Sequence, residues 1–229
     1  MFAQESLNRF ESLGDNCELG LVLRALGNEN GGFFRWTLCP LESLVKLISD
    51  DFANVYRFEN LVPHSPIMVR DEAYGLAFHS HMKSTDQDGV LSYLETDEGR
   101  RATYQAELPK VEHLIGKFRN RLLSRGTIFV VKKNYVPSAE GVITELVELL
   151  AERSGHRDFQ VLWVRSNNDK AGLVEQKTAN LLLGYLSRFA PYIGAHQFES
   201  EEWRSLLAGA LSASGAAPAS PPTRGDASS

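Results

Sequence analysis

Thr127-Ile128-Phe129-Val130-Val131 and Phe159-Gln160-Val161-Leu162-Trp163-Val164 are two continuous apolar runs, and the residues between them repeat apolar side chains at the helical period over 138 to 153. A run with no polar alternation buries both faces of its strand, which is the habit of a parallel sheet covered by helices. Strand, helix and strand at this spacing predict a right-handed crossover joining two parallel strands near 127–165. The expected fold class is therefore α/β or α+β, a mixed sheet with flanking helices. Polar residues gather where the strands end: Lys132, Lys133 and Asn134 after the first, and Arg165, Ser166, Asn167, Asn168 and Asp169 after the second. In open α/β sheets such carboxyl ends are where ligands bind.

Upstream, residues 4 to 12 are predicted as a short helix, and 17 to 27 as a second one, with Leu19, Val22, Leu23 and Leu26 on one face and Gly27 as its stop. Pro40 opens a third, carrying Leu41, Leu44, Val45 and Ile48. Ile67 to Arg70 and Tyr74 to Phe78 form an antiparallel hairpin around Asp71-Glu72-Ala73. Continuing the second strand to Met82 puts His79 and His81 on one face. Residues 83–103 read as a polar excursion, and 104–125 as an amphipathic helix weakly broken at Pro109. A segment over 178–194 is helix or strand, and 200–212 a closing helix with Trp203, Leu206 and Leu207. The division is one globular domain over 1–211 and a disordered, small, Pro-rich tail over 212–229.

The chain has 229 residues, 43% hydrophobic and 23% charged, with a net charge of −5. No basic surplus argues for nucleic acid, and no apolar run is long enough for a membrane span. The first residues have neither a basic nor an apolar leader region, so a cytoplasmic location is expected. The two cysteines, Cys17 and Cys39, have no CxxC or Cys/His zinc spacing. Neither a metal nor a cofactor is expected. His79 and His81, at i and i+2, are a metal pair only if further ligands join them.

Ser12-Leu13-Gly14-Asp15-Asn16-Cys17-Glu18-Leu19-Gly20 places Cys17 in the first turn of a predicted helix. Backbone N–H groups and the helix dipole there favour a thiolate. The competing reading is a small apolar residue packed into the core. If the thiol is a nucleophile, His81 or His79 is the base, the Cys17 N–H one half of an oxyanion hole and Asn16 the other. Asn134 is a candidate third residue to orient the imidazole, with Asp15, Asn16 and Asn167 as competitors.

SLGDNCELGLVLRALG, followed by GGFFRW, ESLVKLISDDF, YGLAFHSHM and TIFVVKK, resembles the bacterial family labelled papain-like cysteine peptidases, with the SLGxxCE block as the specific part. The resemblance implies a nucleophile at Cys17 and a histidine base in the strand after the hairpin. Family members tend to carry Phe-Asp-Trp where this chain has Phe34-Arg35-Trp36, so a cation replaces an acid beside a candidate substrate contact, Trp36. One expectation is thus a Cys/His hydrolase or acyl-transferring enzyme acting on an amide, ester or thioester, with a small-molecule, peptide or acyl substrate. The alternative is a non-peptidase α/β domain that binds or transfers a sugar-like or phosphorylated ligand, with Arg35, Lys132, Lys133 and Arg165 as contacts. A third is an inactive interaction module, for which Arg35 is the main support.

Overall fold

The computed structural model describes residues 2–134 and 136–215. In chain order these form α1 (Gln4–Leu7), β1 (Phe10–Ser12), α2 (Glu18–Ala25), β2 (Thr37–Leu38), α3 (Leu41–Ser49), β3 (Leu61–Ser65), β4 (Met68–Asp71), β5 (Leu76–His79), β6 (Ser84–Gln87), β7 (Val90–Tyr93) and α4 (Asp97–Leu123). There follow β8 (Thr127–Lys132), α5 (Pro137–Ser154), β9 (Phe159–Ser166), β10 (Val174–Thr178), β11 (Leu181–Leu186) and α6 (Ser200–Gly215).

The crossover forms as its apolar runs predict. β8 and β9 are parallel with Thr127 opposite Phe159 and Lys132 opposite Val164, and every residue of β8 is buried. They are the centre of a five-stranded sheet ordered β1-β8-β9-β11-β10, in which only β10 runs antiparallel. The alternate side chains of β8 and β9 feed two cores. On one face Phe129, Val131, Val161 and Trp163 pack against α5, α3 and α4. On the other, Ile128, Val130, Leu162 and Val164 meet α2 and α6. The class is mixed α/β.

The connections leaving β1 and β8 therefore part company: the first goes to α2 on one face, the second to α5 on the other. In open α/β sheets, ligand sites form where connections diverge in this way, at the carboxyl ends of the strands.

A smaller antiparallel sheet, ordered β2-β5-β4-β3, lies on the α4 side, followed by the separate β6-β7 hairpin. Several expectations are corrected here. The helix expected over 4–12 stops at Leu7, because Phe10–Ser12 pair with Ile128–Val130 as an edge strand. Residues 84–93 are a hairpin closed by Asp88 and Gly89 in the left-handed region. The amphipathic helix begins at Asp97, where Thr96 caps it by accepting from the Gly99 N–H at 3.3 Å, and Pro109 lies inside it. The strand carrying the histidines ends at His79. Beyond it Ser80 Oγ accepts from the Met82 N–H at 3.0 Å and Glu107 on α4 accepts from the His81 N–H at 2.8 Å, which takes the backbone out of the ladder, so the two histidines do not share a strand face.

Residues 178–194 contain β11 but no helix, and α6 continues to Gly215, four residues into the stretch expected as tail. The remainder of that tail, 216–229, lies outside the described residues. Among the described residues no helix is long and apolar enough to cross a membrane.

Candidate functional site

The residues singled out in the sequence fall into three places. The first is the edge of the sheet at the carboxyl ends of β1 and β8. After Ser12 the chain makes a tight turn in which Gly14 and Asp15 have φ of 94° and 70°, then enters α2 with Cys17 at its N-cap. Gly14 is required twice over: its φ suits glycine, and a Cβ there would lie 2.6 Å from the Cys39 Cβ. Asp15 holds the same conformation without that freedom, at a cost in backbone strain, and its N–H donates to the Cys39 carbonyl at 3.1 Å.

What fixes this turn is a buried ion pair. Lys132, the last residue of β8, donates from Nζ to Glu18 Oε2 at 2.6 Å and to Asn16 Oδ1 at 2.9 Å, with Asp15 Oδ2 at 3.3 Å. Asn16 Oδ1 also accepts from the Glu18 N–H at 3.1 Å, which caps α2. Glu18, with no exposed surface, further accepts from Trp203 Nε1 at 3.0 Å and the Ala190 N–H at 3.2 Å. Phe189 lies over the ammonium, its ring centroid 4.8 Å from Nζ. Lys132 is thereby committed to the turn instead of to a ligand.

Cys17 is half-buried at this edge. Burial pushes its thiol up, and the opposing pulls of its own backbone N–H and of the Lys132 ammonium do not compensate. Desolvation, with a smaller push from the Glu18 carboxylate, thus opposes the pull that a helix start exerts on the thiol. Asn134 stands at the same edge of the sheet and accepts from the Ser166 N–H at 2.9 Å and its Oγ at 2.8 Å, tying the end of β8 to the end of β9. Among the described residues no hydrogen bond joins it to a histidine.

The second place is a cavity of about 530 Å³ between β5 and α4, and it holds Trp36, His79 and His81. Glu107 organises it. Its carboxylate accepts from Tyr56 Oη and Ser80 Oγ, each at 2.8 Å, and lies 2.9 Å from His81 Nδ1. Burial alone would raise Glu107, but those donors and the His81 N–H hold it below the ordinary carboxylate range. Burial and the Lys83 charge push His79 down. Among the described residues no hydrogen bond joins Cys17 to either histidine. The register explains the arrangement: Thr37 sits opposite Phe78, so His79 lies at the Trp36 end of the β2-β5 pair, whereas the Cys17 turn packs on Cys39 at the other end.

Arg35 occupies the third place. Its terminal nitrogens donate to Asn28 Oδ1 at 3.2 Å, to the Gly20 carbonyl at 3.0 Å, and to the carbonyls of Asn28 and Asn30. The Arg35 side chain is thus a buried clasp tying the 28–30 loop to α2. Gly20 permits it, because a Cβ there would fall 2.7 Å from the Arg35 carbonyl. Arg35 also lines a polar cavity of about 370 Å³ along the unpaired edge of β1, together with Glu11, Lys117 and Arg121. Burial raises the Glu11 carboxyl to about 7 despite Arg121, Lys117 and Arg35 around it.

Sequence reasoning missed Glu107, which supplies the orienting carboxylate for His81 from a helix whose polar face looked merely solvated. It also missed Glu18 as the partner of Lys132, although both stood in motifs already marked. Among the described residues no three His, Cys, Asp or Glu side chains come together so as to hold a metal ion. No family model, curated protein or solved structure matches this chain.

Proposed function

We propose that this chain is an α/β ligand-binding or transfer domain whose ligand is a neutral, hydroxylated, sugar-like molecule held at the carboxyl ends of β1 and β8. The observation that carries this reading is the parting of the two connections to opposite faces of the sheet, which supports a ligand site at that edge. Charge selects the ligand. Asp15 and Glu18 outnumber Lys132, so a phosphate would meet like charge, whereas the half-buried Asp15 carboxylate suits a hydroxyl donor. Cys17 then forms part of the wall.

Thermal unfolding with glucose, galactose and glucose 6-phosphate tests this. The neutral sugars raise the unfolding temperature more than the phosphate does, and Asp15→Asn abolishes the rise. Protection by none of them, or by the phosphate alone, contradicts the reading.

A second reading, a hydrolase or acyl-transferring enzyme with Cys17 as nucleophile, has its own support. A strand, a turn and a helix start carry the thiol at the sheet's carboxyl edge, a strand–turn–helix order shared with other catalytic nucleophiles, although the left-handed residue here is Asp15 and Cys17 has a φ of −80°. It requires a base to reach a thiol that burial keeps protonated, and the reactivity of that thiol separates the two readings.

A further inference from the structure

We infer that the cavity between β5 and α4 is a binding site for a small carboxylate with an apolar body. The walls are mainly apolar: Phe33, Trp36 and Phe78 on the sheet side, Val111 and Leu114 on α4, and Ile67 at the rim with half its surface exposed. A volume of about 530 Å³ is that of an ordinary small-molecule site. The aromatic side chains pack edge to face, with ring centroids 5.8 Å apart for Phe33 and Phe78, which leaves the cavity beside them instead of filling it.

The polar groups favour an anionic head. Lys83, whose Nζ donates to the Ser80 carbonyl at 3.1 Å, and Lys110 both line the cavity. They outnumber its one carboxylate, Glu107, whose oxygens are taken up by Tyr56, Ser80 and His81. Thr37 lines the same cavity and is 5% exposed, and among the described residues its hydroxyl has no hydrogen-bond partner. His81 is held through Nδ1, which leaves Nε2 facing outward from a well-exposed ring. This site is separate from the sheet edge at Cys17 and stands or falls without it.

The test is a titration of tryptophan fluorescence with octanoate, octanol and octylamine. Trp163 and Trp203 are fully buried, so a response to a ligand in this cavity comes from Trp36. Octanoate gives a saturable change that Trp36→Phe removes, octylamine gives none, and the double variant Lys83→Glu/Lys110→Glu weakens octanoate roughly tenfold while leaving octanol unchanged. No saturable response to octanoate, octylamine binding as tightly as octanoate, or an octanoate affinity indifferent to reversal of both lysines overturns the inference. Far-ultraviolet circular dichroism of the lysine variant checks that it is folded.

Discussion

Lys132 Nζ lies 2.6 Å from Glu18 Oε2, and the two side chains are 5% and 0% exposed. This pair joins the last residue of β8 to the first turn of α2, so the geometry of the Cys17 turn is set from inside the sheet. Desolvating two charges offsets much of their attraction, but removing one partner leaves the other buried and uncompensated.

Lys132→Met is therefore expected to destabilise the fold by about 3–5 kcal/mol. The double variant Lys132→Met/Glu18→Gln recovers part of that loss, because the stranded charge is gone. Urea unfolding midpoints at unchanged slope give both values. A loss in the double variant equal to the sum of the losses in Lys132→Met and Glu18→Gln would show that the two residues act independently.

Arg35→Lys removes a planar fork that satisfies three backbone carbonyls and one side chain, and an ammonium cannot reproduce it. A loss of about 2–4 kcal/mol follows, read from the same unfolding curves. If the change is neutral, Arg35 is not the clasp of the 28–30 loop.

Glu11 carries a pH signature. Its carboxyl is raised from 4.5 to about 7 by burial, so the folded state holds this proton more tightly than the unfolded chain does. Its contribution is fully present below about 4.5 and is lost as pH rises towards about 7. Relative to wild type, Glu11→Gln thus gains roughly 3 kcal/mol of stability between about pH 4 and about pH 8. A stability difference that does not change with pH would place the titration elsewhere.

The sequence made the crossover legible because Phe129, Val131, Val161 and Trp163 on one face, and Ile128, Val130, Leu162 and Val164 on the other, leave no position for a solvent-facing side chain. Phe10–Ser12 are different. Three residues following a helical turn carry too little pattern to announce a strand, and only pairing with Ile128–Val130 makes one. The site was partly readable: the Cys17 turn and the Lys132 strand end were both marked as polar punctuation of an α/β sheet. That Lys132 reaches Glu18 across 114 residues is a tertiary fact with no local signal. The shared strand face of His79 and His81 failed for a similar reason, since Glu107, 26 residues beyond His81, captures the backbone that would have continued the ladder.

Burial favours the neutral thiol at Cys17. Alkylation of the native protein by iodoacetamide, followed across pH by intact mass, tests it most directly. Cys39 is buried, and burial pushes its thiol far up, so a single addition reports Cys17. A neutral resting thiol gives a rate that climbs with pH and levels off only above the ordinary thiol value of 9.0. An inflection below neutrality would contradict it and identify a thiolate nucleophile.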